Sequence, residues 1–432
     1  MVNFPRYESY QSTEEEWLGD IPIHWQLLRT KSIFRLVAEP APKNNDEELL
    51  SVYSDIGVKP RRELEARGNK ASTTDGYWFV KKGDIIVNKL LAWMGAIGVS
   101  DYDGVTSPAY DILRAYKPTN SKFYHYLFRN PICIDKLKKH SKGIMEMRLR
   151  LYFNEFGDIK IPYPPIEDQD RIVEFLDRKT AEIDLAIAQK QRLIELLKEQ
   201  KAILIDRAVT KGLNPNAPMR DSGIEWVDEI PGHWSLKRFK HITCLLRDGT
   251  HLPPSRTDAG FRLLSVRNII KDKFVFREDD SFISEIHFKG LCKSFQPMQG
   301  DVLLAIVGAT LGKVAIVPKT EPFQIQRSLA IFRPNKKISS EYLKLWIQSS
   351  GIQNLLWNTT EFSAQPGIYL GALKNFLIVL PSYKEQESII SNLFQQFGEI
   401  DKLFQTTQSE IEIFEELRRV FISEAVTGKI KI

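Results

Sequence analysis

The chain has 432 residues, 43% of them hydrophobic, and a formal net charge of +5. Such a length predicts two or three domains with real cores, and the mild basic excess is compatible with a nucleic-acid partner without requiring one. Cys133, Cys244 and Cys292 share no CxxC spacing, which argues against a zinc site or a disulfide scaffold and predicts a reducing, cytoplasmic setting.

In chain order, the first 17 residues are polar and acidic, unlike a secretory leader. Glu16 to Trp25 then reads EWLGDIPIHW, and Glu225 to Trp234 reads EWVDEIPGHW, 209 residues later. Gly83-Asp84-Ile85-Ile86-Val87 is echoed by Gly300-Asp301-Val302-Leu303-Leu304 at a spacing of 217. Pro164-Pro165-Ile166-Glu167-Asp168-Gln169 and Pro381-Ser382-Tyr383-Lys384-Glu385-Gln386 keep that spacing, as do Glu182-Ile183-Asp184 with Glu399-Ile400-Asp401 and Ala208-Val209-Thr210 with Ala425-Val426-Thr427. The chain is therefore two tandem copies of one unit. Each copy opens with a mixed β and α part, whose short apolar runs are punctuated by Gly, Pro and Asp. The longest apolar run, Val302 to Val317, is broken by Gly308, Gly312 and Lys313. It is too short to cross a bilayer and predicts buried strands.

Each copy closes with a long helical pattern. The first runs from about Ile166 to Val209 and carries Leu176, Ile183, Lys190, Leu197 and Leu204 on one seam, with Val173, Thr180, Ile187, Ile194, Lys201 and Ala208 on the other. The second carries Leu393, Ile400, Thr407, Phe414 and Phe421, with Ile390, Phe397, Phe404, Ile411, Arg418 and Ala425. These are coiled-coil heptads. The polar breaks Lys190, Lys201, Thr407 and Arg418 either fix register or snorkel at the seam edge. A two-fold between the copies would make the helices antiparallel, with a globular head at each end. The expected class is α+β, with boundaries at 1–165 (first head), 166–212 (spacer helix), 213–224 (linker), 225–381 (second head) and 382–432 (second spacer helix).

Catalytic signatures are missing. Gly308 to Val314 has one residue too few for a phosphate loop and lacks its Ser or Thr. There is no HExxH, GxSxG or amino-methyltransferase tetrapeptide, and no metal-ligand cluster. His24 and His233 each precede a Trp at equivalent places, which predicts packing. Both heads do hold basic, amide and aromatic residues in loop-like stretches. Candidate DNA contacts in the first head are Lys59, Arg61, Arg62, Asn88, Lys89, Trp93, Arg148 and Arg150. In the second they are Arg247, Thr250, His251, Arg256, Arg267, Asn268, Lys313, Gln326 and Arg327. Arg suits guanine, Asn and Gln suit adenine, and Lys mostly meets phosphate. Each residue singly also fits a solvated surface, and Trp93 also fits a core.

The ordered set resembles the DNA-specificity subunit of type I restriction–modification systems. The resemblance rests on the doubled Glu-Trp-x-x-x-Ile-Pro-x-His-Trp, Gly83 to Asn88 with Ser107-Pro108-Ala109-Tyr110, Arg247 to Pro254, the Pro-x-x-x-x-Gln helix starts and the helix end Ala208 to Leu213. It covers essentially the whole chain, twice. It implies that each head is a target recognition domain reading one half of a split DNA site. The helices would set the spacing and dock methyltransferase subunits, two of them in the fullest assembly. The chain itself would be non-catalytic and bind no cofactor. S-adenosylmethionine, ATP and Mg would belong to the methyltransferase and motor-nuclease partners. The heads diverge between Trp25 and Gly83 and between Trp234 and Gly300, so the two half-sites should differ. Two other readings fit the residues: a coiled-coil scaffold with two protein-binding heads and no DNA readout, and an enzyme with an unrecognised site.

Overall fold

The computed structural model describes residues 4–63, 74–143, 149–252, 254–360 and 367–432. The chain divides into two compact units, Met1–Gln191 with Ser409–Ile432, and Arg192–Gln408. The expected boundaries set the spacer helices apart from the heads. Instead, each unit takes part of both long helices into its own core.

Unit 1 is built on a four-stranded antiparallel sheet in the order Phe34–Val37, Tyr110–Ala115, Ile85–Asn88, Ile97–Val99. Unit 2 repeats it with Thr243–Asp248, Leu329–Pro334, Val302–Ala305 and Val314–Ile316. The strands Ile85–Asn88 and Val302–Ala305 are buried at every residue. The reason is a sheet covered on both faces, with successive side chains pointing to opposite sides. Ile85 and Val87 enter one core with Phe123, Tyr124 and Leu127, while Ile86 enters a second with Val37 and Val52. Val302 and Leu304 likewise part from Leu303 and Ala305.

The repeated Gly-Asp pair starts that strand. Gly83 and Gly300 have φ of +92° and +87°, a conformation that a β-carbon disfavours. Asp84 accepts the Lys81 backbone N–H at 2.8 Å and takes both Nε and Nη2 of Arg114 at 2.8 Å. Asp301 does the same with Met298 and Arg333, also at 2.8 Å. The bidentate pairs raise the pKa of both guanidinium groups above the usual arginine value.

A two-stranded ladder, Gln26–Arg29 with Lys160–Tyr163, feeds the first long helix, Ile166–Lys211. Ser235–Arg238 with Leu377–Leu380 feeds the second, Tyr383–Val426. At about 1.5 Å per residue these helices are roughly 69 and 66 Å long. The segment 213–224, expected as a linker, ends in a strand: Met219–Ile224 pairs antiparallel with Val227–Pro231. Its partner strand carries the repeated Ile-Pro, with Met219 opposite Pro231 and Arg220 opposite Ile230.

Of the heptad residues, Leu176, Ile183, Ile194, Leu197, Leu393, Ile400 and Ile411 are buried, and Ile187, Leu204, Phe397, Phe404, Phe414 and Phe421 are half-buried. The helices run antiparallel within each unit. In unit 1 the Phe175 ring lies 6.2 Å from Phe421. In unit 2 Ile205, Ala208 and Val209 share a core with Ile389 and Leu393. The charged breaks in the seams pair across the helices: Lys190 with Glu410 at 2.6 Å, Lys201 with Asp401 at 2.5 Å, and Arg418 with Asp184 at 3.4 Å. Lys201 and Arg418 are repeat-equivalent, and so are Asp401 and Asp184, so the last two bridges are one contact made twice. Thr407 is buried and donates to its own helix at Leu403.

Candidate nucleic-acid interface

The repeated sequence motifs converge on the helix starts. His24 Nε2 and Trp25 Nε1 meet Asp168 Oδ2 at 2.7 and 2.9 Å. His233 and Trp234 meet Glu385 Oε1 at 2.7 and 3.2 Å. Partial burial works against ionisation of Glu385, but hydrogen bonds from His233, Ser382 and Trp234 prevail and lower its pKa to about 2. The same balance lowers Asp168. One residue on, Gln169 and Gln386 are fully buried. Gln169 accepts the Asn120 N–H at 2.9 Å and donates to Pro164 O at 2.8 Å. Gln386 accepts from Ser339 and donates to Pro381 O at 2.9 and 3.1 Å. Asn120 and Ser339 are the N-caps of helices Ser121–Phe128 and Ser340–Gln348. The His-Trp and Pro-x-x-x-x-Gln motifs thus lock each head onto its long helix, and the paired histidines are structural.

The candidate contacts lie mainly at the end of each central sheet. In unit 1, Asn88 is buried with its Oδ1 accepting from Leu90 N–H. Lys89 bridges to Asp111 at 3.2 Å and donates to Pro108 O. Trp93 is half-buried, its Nε1 bonded to Leu90 O and its ring 5.5 Å from the Lys138 ammonium. Leu90, Leu91 and Met94 beside it are exposed. The exposed Arg150 pairs through its backbone with Lys142. Lys59 lies on a neighbouring hairpin near the Tyr102 ring, Arg61 follows it on a short 3-10 turn, and Arg62 bridges to Glu48. Arg148 lies outside the described residues.

In unit 2, Thr250 pairs through its backbone with Gln326, and Arg327 N–H donates to Thr250 O at 3.1 Å. His251 bridges to Asp248 at 2.6 Å. Asp248, His251 and Arg327 border a cleft of about 600 Å³ that is also lined by Ile306, Val307 and Ile368. Arg247, Arg256 and Arg327 are exposed, and their guanidinium groups meet no hydrogen-bond or ion-pair partner among the described residues. Lys313 is exposed too, but it faces a different groove, shared with Lys271, Lys273 and Lys344. Arg267 is engaged by Asp279. Asn268 is buried, with its amide bonded to Val275 O, Asp280 and the Ser265 N–H. Its place in a helix-capping turn was not visible from residue type.

No group of three His, Cys, Asp or Glu residues placed to hold a metal occurs among the described residues. None of their helices is long and apolar enough to cross a membrane.

A sequence model of the type I restriction modification DNA specificity domain matches residues 22–196 and 266–413. The chain belongs to this family. One matched segment lies in each copy of the repeat. The specificity subunit of the type I restriction enzyme MjaVIII from Methanocaldococcus jannaschii is 23% identical, over 95% of this chain and 94% of that protein. The EcoKI specificity subunit from Escherichia coli K12 is also 23% identical, over 95% and 90%. Among solved structures, a chain from work on assembly and conformational transition of the type I R-M system superposes with a TM-score of 0.69 at 17% identity, covering 94% of this chain and 98% of that one. The HsdS subunit from Thermoanaerobacter tengcongensis gives 0.52 at 16% identity, covering 95% and 98%. The family's DNA-specificity domain is thus matched twice along the chain, once in each copy of the repeat.

Proposed function

We propose that this chain is the non-catalytic DNA-reading subunit of a type I restriction–modification complex, and that each unit reads one half of an asymmetric, bipartite site. The observation that carries the reading is the duplicated unit: two different heads, each ending its sheet in basic loops, built on two long helices that both units share. The exposed cations Arg150, Arg247, Arg256 and Arg327 are the contacts best placed for this role. Lys59, Arg61, Arg62, Lys89, Trp93, Thr250, His251, Lys313 and Gln326 could join them once DNA arrives. Arg148 belongs with Arg150 by sequence.

The long helices set the distance between half-sites and dock two methyltransferase subunits. A repeated apolar pair supports the count of two. Leu196 and Ile203 on the first helix are 45% and 57% exposed, and their repeat equivalents Ile413 and Val420 on the second are 59% and 41% exposed. Spaced by seven, each pair lies on one helix face, and an exposed apolar stripe marks a partner surface. S-adenosylmethionine would enter on those partners, and ATP with Mg on a motor-nuclease subunit.

Sequencing of modified bases tests this. The chain is co-expressed with its methyltransferase subunit in a host lacking adenine methylation. The expected result is one split, asymmetric motif with N6-methyladenine in both halves. A competent, assembled complex that leaves no methylation would favour the protein-interaction scaffold instead.

A further inference from the structure

Tyr152 and Tyr369 stand 217 residues apart and occupy the same place in the two units. Each directly follows a core residue: Leu151 is 1% exposed and Ile368 is 4% exposed. Those core residues are pinned identically, Leu151 N–H to Lys89 O at 2.9 Å and Ile368 N–H to Ile306 O at 3.0 Å. Each tyrosine is then the N-cap residue of a short helix, Phe153–Asp158 or Leu370–Leu373. Yet both rings are turned out to solvent, 42% exposed for Tyr152 and 70% for Tyr369. Neither belongs to a hydrophobic core, and neither hydroxyl has a hydrogen-bond partner among the described residues.

An aromatic ring exposed once needs no explanation. Here it is exposed twice, on a rigid seat, while the heads around it have diverged. The fold does not use either ring. Each adjoins an exposed arginine already described: Arg150 lies two residues before Tyr152, and Arg327 lines the same cleft as Tyr369. A flat, low-entropy ring beside a guanidinium suits a nucleic-acid surface, where the cation meets phosphate and the ring packs on a base or sugar.

We propose that Tyr152 and Tyr369 are equivalent DNA-contact residues, one for each half-site, with the ring packed against the duplex. The proposal rests on the DNA-reading function above. Neither tyrosine is visible from residue type alone, because only the fold shows which of the chain's 14 tyrosines are held outside the cores.

The test uses the full chain in complex with its methyltransferase subunits, the site found by methylome sequencing, and three duplexes: the intact site and two with one half replaced. Binding is read by fluorescence anisotropy for Tyr152→Ala, Tyr369→Ala and the two Tyr→Phe variants, with melting temperatures to follow folding. Each Ala variant should weaken binding to the intact duplex on the order of tenfold. That loss should vanish on the duplex whose matching half is already replaced. The Phe variants keep the ring and should bind close to wild type. Ala variants that bind every duplex like wild type would overturn the proposal. So would a loss that is equal on all three duplexes. In those cases a wild-type complex that still discriminates between duplexes leaves the DNA-reading function standing. If the wild-type complex does not discriminate, that function falls and the tyrosine assignment falls with it.

Discussion

At the residue scale, the repeated motifs are hydrogen-bond devices whose partners lie far away in sequence. Trp25 is 1% exposed and its indole N–H is satisfied by Asp168. Asp168→Ala leaves that donor buried and unpaired, at a cost of about 1–3 kcal/mol. The expected outcome is a lower denaturation midpoint with unchanged secondary structure by circular dichroism. Glu385 supplies a pH dependence. Its folded pKa of about 2 lies below the ordinary 4.5, so the unfolded chain binds more protons between those values. Its contribution is therefore complete above about pH 4.5 and is lost as pH falls toward 2. Glu385→Gln should lower the melting temperature at pH 7, and the gap to wild type should narrow between pH 5 and 3. A gap independent of pH would mean that charge is not what the carboxylate contributes. Gly428 has φ of +73°, and a β-carbon there would lie 2.4 Å from Pro22 Cδ. Gly428→Ala meets both backbone strain and a steric clash, and should destabilise unit 1 by more than about 1 kcal/mol in chemical denaturation.

At the element scale, the long helices are held by an apolar seam with symmetric ion pairs at its margin. Lys201–Asp401 and Arg418–Asp184 have at least one well-exposed partner each, so each pair is worth only about 0–1 kcal/mol. Lys201→Glu should cost a small amount of thermal stability, and adding Asp401→Lys should restore part of it. A double-mutant cycle with zero coupling would show that the bridges are incidental and the seam alone sets the register. The apolar seam matters more. Leu176 is fully buried, and Leu176→Ala should cost about 2–5 kcal/mol. The heptads were legible because coiled-coil spacing is a local property of one strand of sequence. What each polar break does was not, since a lysine at a seam position looks the same whether it snorkels or meets an aspartate from another helix.

At the scale of the whole molecule, the duplication explains both the fold and the proposed function. One unit repeated gives two sheets, two helix starts and two faces, and divergence between the copies gives two different readouts. Replacing residues 1–165 with the corresponding head of a family member should change one half of the methylated motif and leave the other half and the spacing intact. Modified-base sequencing of the hybrid measures this directly. A hybrid that alters both halves would mean the units do not read independently.

The sequence by itself determined the internal repeat, the long heptad helices, the α+β class and the family, because each is carried by local periodicity or by ordered motifs along the chain. Tertiary structure alone decided which polar residues are free to act. Asn268 and Asn88 resemble DNA-reading amides in the sequence, but burial and hydrogen bonding engage both within the fold. Tyr152 and Tyr369 share the repeat spacing in the sequence, but only the fold shows that both are held outside the cores. The physical reason is that availability depends on what lies across space from a side chain, and the chain's order does not record that.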